Sequence, residues 1–186
     1  MFKNMKIRKS LILGFGTLLI CALAISITTL TLMNVQRSTF VGILNNQVKA
    51  NELVQQCNLD ISTAATHVRE VVLIPDDPDM ETKASEATQL LQEINDNLEE
   101  LKKVYTLNDG KLDEYIAAVN DWSQMVPDIL TAVNEGKIDD ATALIRDECS
   151  PRLDTLMSLG EEIGASLSAV QTNAIAQQQT TGMVVM

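Results

Sequence analysis

The sequence is poor in aromatic residues, histidine and cysteine. Of its 186 residues, 3% are aromatic, three are cysteine and one is histidine. A single histidine leaves little scope for a multi-histidine metal site or a His-based catalytic triad, and three scattered cysteines are too few for a disulfide framework. The sequence also has no phosphate-binding glycine motif and no nucleophile elbow. We therefore expect no catalytic residues, no metal ligands and no cofactor, in a protein that is not an enzyme.

Positively charged residues are also few. The chain has 14 Lys and Arg against 25 Asp and Glu, a net charge of −11, so we expect no nucleic-acid partner. Apolar residues make up 46% of the chain. Because they are mainly aliphatic and seldom aromatic, they favour an all-α fold over a β-sandwich.

Charge is missing altogether from residues 11–33. This run is long enough to cross a hydrocarbon core, which needs about 20 helical residues. The cluster Lys3, Lys6, Arg8 and Lys9 precedes it, and no acidic residue occurs before Glu52. The positive-inside rule then predicts a cytoplasmic basic stub at 1–10, a transmembrane helix at 11–33 in the cell membrane, and an extracytoplasmic location for the residues after 33. The alternative is a cleaved signal peptide, whose apolar core is typically about 7–15 residues long.

The C-terminal residues 182–186 are apolar again and read Gly-Met-Val-Val-Met. Five residues cannot span a bilayer. We interpret them as the start of a truncated second transmembrane helix, because an exposed apolar end would be unusual on a soluble terminus. The alternative is an ordinary frayed tail.

Residues 34–181 carry apolar stripes at alternating spacings of three and four, which is typical of helices packed side by side. The predicted helices cover 34–74, 80–105, 112–133 and 138–181. Turn residues separate them at 75–79, 108–110 and 135–137. Short connections make successive helices antiparallel neighbours. The sequence thus predicts an up-down-up-down antiparallel four-helix bundle with long first and last helices, forming an extracytoplasmic domain at 34–181.

Two prolines interrupt the predicted helices, Pro127 in the third and Pro151 in the fourth. Each removes a backbone hydrogen bond and bends its helix. The apolar spacing also changes ahead of Pro151, which indicates a phase stutter. Such bends have both structural and functional uses, and the sequence leaves both open.

Two stretches resemble bacterial methyl-accepting chemotaxis receptors. The opening MFKNMKIRKSLILGFGTLLI runs from a basic stub into an apolar span with Gly14 and Gly16, as their N-termini do. The stretch VNEGKIDDA at 133–141, followed by Pro151 and Leu153, is similar to the turn between the third and fourth helices of their sensor domain. The resemblance implies a homodimeric, membrane-embedded receptor for chemotaxis and signal transduction. Its cytoplasmic output region would lie outside this sequence.

Three functions remain in competition. The first is the ligand-sensing and transmembrane signalling part of a chemotaxis receptor. The second is the input domain of a sensor histidine kinase or diguanylate cyclase, since similar modules occur on both. The third is a coiled-coil membrane anchor that senses nothing.

Candidate ligand-binding residues are Thr66, His67 and Arg69 on the first helix and Arg146 on the last. Counting about 1.5 Å per residue places Arg69 and Arg146 at similar heights, and arginine is well shaped to hold a carboxylate. We therefore predict a small organic acid or amino acid as ligand, or a periplasmic-type binding protein as partner. The alternative is that Arg69 pairs with Glu70 or a neighbouring acidic helix, and Arg146 with Asp147 or Glu148.

Overall fold

The computed structural model describes the backbone of residues 3–74 and 77–183. Its helices are α1 (Lys3–Leu73), α2 (Met80–Val104), α3 (Lys111–Ser123), α4 (Met125–Asn134), α5 (Ile138–Leu144) and α6 (Ser150–Met183), with a π-helical turn at Ile145–Cys149. No strand occurs within these described residues, which confirms the predicted all-α class. The chain divides into two compact units, Met1–Ile43 and Leu44–Met186.

The first unit is the N-terminal part of α1. Among the described residues, α1 is the one helix long and apolar enough to cross a membrane, with a mean hydropathy of 2.1 over its most apolar stretch. None of that stretch is buried. An N-terminal signal sequence also contains an apolar helix, so these properties are compatible with the predicted transmembrane helix without establishing it. Of the predicted second span, residues 184–186 lie outside the described part of the chain.

The second unit has a continuous apolar core. Buried side chains recur every three or four residues, the spacing that brings them to one face of a helix. The largest fully buried ones are Trp122, Tyr115, Ile61, Ile94, Leu101, Ile129, Leu156, Ile163 and Leu167. They come from α1, α2, the pair α3–α4, and α6, so the unit is built from four helical arms around one core.

Polar contacts between the arms show their relative direction. The joining pairs are His67–Glu86 and Asp60–Asn97 between α1 and α2, and Lys111–Glu162 and Asp121–Arg152 between α3 and α6. In both sets, rising residue numbers on one helix meet falling numbers on the other. These helix pairs are therefore antiparallel, as predicted.

The turn between α4 and α5 is closed by Gly136. Its φ of 73° lies in the left-handed region that favours glycine. The amide of Gly136 donates to the Val133 carbonyl at 2.9 Å, and that of Lys137 donates to Ala132 at 2.8 Å. This is a Schellman motif, which satisfies carbonyls at the helix end. The predicted turn at 135–137 is thus confirmed.

Both predicted helix interruptions occur, and one differs in form from the prediction. The third helix is interrupted at Gln124, between α3 and α4, but Gln124 keeps right-handed helical φ and ψ values of −65° and −21°, so the backbone stays helical through the interruption. Pro127 then falls in the first turn of α4, where its missing N–H has no intrahelical partner to lose. The stutter before Pro151 is the π-helical turn Ile145–Cys149, which accommodates an extra residue before α6 begins.

Candidate functional site

A groove of about 360 Å³ lies between α1 and α2 of the second unit. Its lining residues are Thr63 and His67 from α1, and Glu86, Gln89, Leu90 and Glu93 from α2. Positions 63 and 67 are four apart and positions 86, 90 and 93 follow the same helical spacing, so each set shares one face of its helix. Ala64, which follows Thr63 on α1, and Ala87, which follows Glu86 on α2, are buried in the core. The groove therefore runs along the edge where the two apolar stripes meet.

The buried carboxyl group of Asp60 lies near Glu93, on the acidic side of the groove. Asp60 is 6% exposed; it accepts hydrogen bonds from Gln56 Nε2 at 2.8 Å and from Asn97 Nδ2 at 3.4 Å. Burial raises the pKa of Asp60, and the charge of Glu93 raises it further, while its two hydrogen bonds oppose that change. Glu93 is itself held by Gln89, whose Nε2 donates to Oε1 at 2.8 Å.

His67 lies between two carboxylates. Its Nε2 is 3.5 Å from Glu86 Oε2, and its Nδ1 is 3.8 Å from Glu70 Oε2. The Nδ1 atom is buried and makes no hydrogen bond within the described structure. Glu70 also lies 3.4 Å from Lys83 Nζ, and that lysine bonds Asp77 at 2.8 Å. Lys83, near this end of the groove, is thus already neutralised by two acids.

The four predicted site residues have different contacts in the structure. His67 lines the groove. The neighbouring Thr66 is exposed and donates its hydroxyl hydrogen bond to the carbonyl of Ser62 in its own helix at 2.9 Å. Arg146 is 70% exposed and holds both carboxylate oxygens of Asp147 at 2.7 and 2.8 Å. That pairing is the alternative weighed for Arg146 from the sequence.

Arg69 lies away from the groove, beside Cys149 on the π-helical turn. It is exposed and makes no ion pair within the described part of the chain. Its predicted partner Glu70 contacts His67 and Lys83 instead. Of the two predicted arginines, Arg69 is therefore the one that makes no ion pair within the described residues.

A second polar cluster joins α3, α4 and the π-helical turn. Arg152 Nε is 2.8 Å from Asp121 Oδ2, and its Nη1 is 3.3 Å from Glu148 Oε2 and contacts the sulfur of Met125. One guanidinium thus connects the end of α3, the start of α4 and the turn that precedes α6.

Next to this cluster, Trp122 and Cys149 are buried together. Trp122 is fully buried and lies beside the Cys149 thiol, yet its Nε1 makes no well-formed hydrogen bond within the described structure. Burial raises the pKa of Cys149, while Trp122 and the positive charges of Arg69 and Arg152 act in the opposite direction. All three cysteines are free thiols; Cys57 and Cys149 are buried and Cys21 is exposed.

The groove carboxylates were missed from the sequence. Glu86 and Glu93 were not predicted, because position along a helix does not show which exposed face meets a neighbour. The available signal was the pattern Glu-x3-Leu-x2-Glu, which places an apolar residue between two acids on one face of α2.

The second unit is a four-helix bundle, and that architecture defines the class of protein. The chain belongs to the four-helix-bundle sensory modules for signal transduction, whose family model matches residues 4–179. This confirms the resemblance to the sensor domains of methyl-accepting chemotaxis proteins. Comparisons with curated proteins and with solved structures find no match.

Proposed function

We propose that this chain is the membrane-anchored, extracytoplasmic sensory part of a chemotaxis receptor and that it acts as a homodimer. The observation that carries the proposal is the family match over 4–179, which covers both the apolar part of α1 and the bundle. A sensory module with an apolar segment of spanning length is the arrangement that a transmembrane receptor requires. The basic residues ahead of the segment favour a cytoplasmic N-terminus.

Signal transmission in this proposal depends on α1 and α6, the first and last helices. A bound ligand stabilises whichever arrangement of the bundle it binds more tightly, and the population shifts by that difference in affinity. Packed helices respond by small displacements between discrete arrangements. The sensory role therefore requires a ligand or partner that distinguishes two states of the bundle.

Cysteine labelling in intact cells tests the topology. Asn108→Cys, in the turn before α3, is expected to react with a membrane-impermeant maleimide from outside the cell. Ser10→Cys, ahead of the apolar segment, is expected to react only after permeabilisation. The unsubstituted chain measures the background from the buried Cys57 and Cys149 and from Cys21. Labelling of Ser10→Cys alone in intact cells would contradict the proposal.

A chimaera tests the sensory role itself. The chain is joined after Met186 to the second span and cytoplasmic output region of a characterised chemotaxis receptor. Cells that express it are expected to change their swimming bias in response to at least one compound in a panel of amines, amino acids and organic acids. The same output region behind an inert coiled coil is the control. Equal behaviour of the two fusions across the panel would favour the non-sensing anchor.

A further inference from the structure

The α1–α2 groove has a charge pattern of its own. Along one face of α2 it presents a carboxylate, an apolar side chain and a second carboxylate, from Glu86, Leu90 and Glu93. We infer that this groove binds a short linear diamine, an alkyl chain with an ammonium group at each end. The inference rests on the proposed sensory function and names the class of ligand for it.

The spacing of the two carboxylates fits such a chain. Glu86 and Glu93 are seven residues apart, so their backbone positions are separated by roughly 10 Å along the helix axis. Leu90 lies between them and contributes apolar surface for the methylene groups of a ligand. A cation with one ammonium group would contact one of these carboxylates and leave the other without an ammonium contact.

Hydrogen-bond acceptors at the groove also suit an ammonium group. The Thr63 hydroxyl donates a hydrogen bond to the Leu59 carbonyl at 2.9 Å, so its oxygen can still accept a hydrogen bond from a ligand. Glu93 is held in place by Gln89, so this carboxylate is already oriented. Charge-assisted hydrogen bonds from ammonium to carboxylate are among the stronger ones in proteins.

The surrounding charges oppose an acidic ligand. Asp60 and Glu70 add to the negative charge around Glu86 and Glu93. The nearby positive charge, Lys83, is engaged by Asp77 and Glu70. An organic acid would therefore meet an excess of carboxylates here, whereas a diamine would neutralise part of their charge.

Isothermal titration of the 186-residue chain in nanodiscs of zwitterionic lipid tests the inference. The titrants are putrescine and cadaverine, with butylamine as the one-ended amine and succinate as the acid. Buffer at about 0.15 M salt suppresses weak contacts between exposed charges. Saturable heat is expected with a diamine, affinity about tenfold lower with butylamine, and no heat with succinate.

Three substitutions on α2 make the test specific. Glu86→Gln and Glu93→Gln keep the side-chain size, and each is expected to weaken diamine binding about tenfold by removing one charge-assisted contact. Asp96→Asn makes the same charge change at an exposed position outside the groove and is expected to leave the affinity unchanged. A circular dichroism melt of each variant confirms that the bundle is folded.

Three results would overturn the inference: no saturable heat with either diamine, equal affinity in Glu86→Gln and the unsubstituted chain, or equal losses in Asp96→Asn and the groove variants. These outcomes are separable from failure of the proposed function. A chain with the expected topology and a responsive chimaera, but without diamine binding, would keep its sensory role and lose this ligand class.

Discussion

Replacing Gly160 with alanine is expected to destabilise the bundle although alanine is the better helix former. A Cβ atom at Gly160 would lie 2.5 Å from both terminal atoms of the Asn58 side chain. That side chain cannot turn away freely, because its Oδ1 accepts a hydrogen bond from the Tyr115 hydroxyl at 2.8 Å. Tyr115 is fully buried, so displacing Asn58 leaves a buried hydroxyl without its partner.

The magnitude follows from two opposing contributions. An unsatisfied buried hydroxyl costs about 1–3 kcal/mol, whereas alanine in place of glycine inside a helix gains up to about 1 kcal/mol. Gly164 on the same helix supplies the matched control, since its added Cβ would meet Asn51 Oδ1 at an ordinary 3.5 Å. The helix-propensity gain is common to both variants. Gly160→Ala should therefore melt roughly 4–8 °C below Gly164→Ala, for a difference of about 2 kcal/mol.

Thermal melts followed by circular dichroism, with the chain in detergent, measure this difference. A double-mutant cycle then tests the cause. In the Tyr115→Phe background Asn58 is free to rotate, and the penalty of Gly160→Ala is expected to shrink by about 1 kcal/mol. If Gly160→Ala melts at or above Gly164→Ala, or if its penalty is the same in both backgrounds, the proposed clash with a tethered Asn58 is refuted.

Two further predictions concern the buried thiol and the arginine cluster. Burial, with a smaller effect from the charge of Asp60, raises the pKa of Cys57 from 9.0 to about 12, so its contribution to stability is complete below pH 9 and is lost as the pH rises towards 12. Melting temperatures measured across that interval should fall less steeply in Cys57→Ala, and parallel curves would contradict this reasoning. Arg152→Ala should lower the melting temperature clearly more than Arg146→Ala, because Arg152 joins three helical segments and Arg146 only its exposed neighbour. Equal effects of the two substitutions would show that the bridge adds nothing to stability.

The elements that were predicted from the sequence depend on local chemistry. Gly136 marked the end of a helix, because the left-handed conformation of a Schellman motif favours glycine wherever it occurs. The end of α1 at Leu73 is explained by Pro75, which disfavours helical geometry in the residue before it. Apolar periodicity identified the core face of each helix, and both Ile61 and Ile94 are fully buried as the stripes predicted.

The features that the sequence did not predict depend on how helices rotate against one another. The sequence predicted the interruption at Pro127 but not its position three residues earlier, at Gln124. The facing of His67 and Glu86 across the groove requires the register of α1 against α2, which no local pattern specifies. The same holds for Arg69, whose sequence neighbour Glu70 bonds elsewhere.

The π-helical turn Ile145–Cys149 allows the rotational setting of α6 to differ from that of α5. One residue added to a regular helix rotates everything after it by roughly 100° about the axis. Leu156 and Ile163, which follow this offset, are fully buried. If the extra residue moved to another position along the chain, different side chains of the segment between the two positions would face the core. The helix can therefore change which side it presents to the core without losing its continuity.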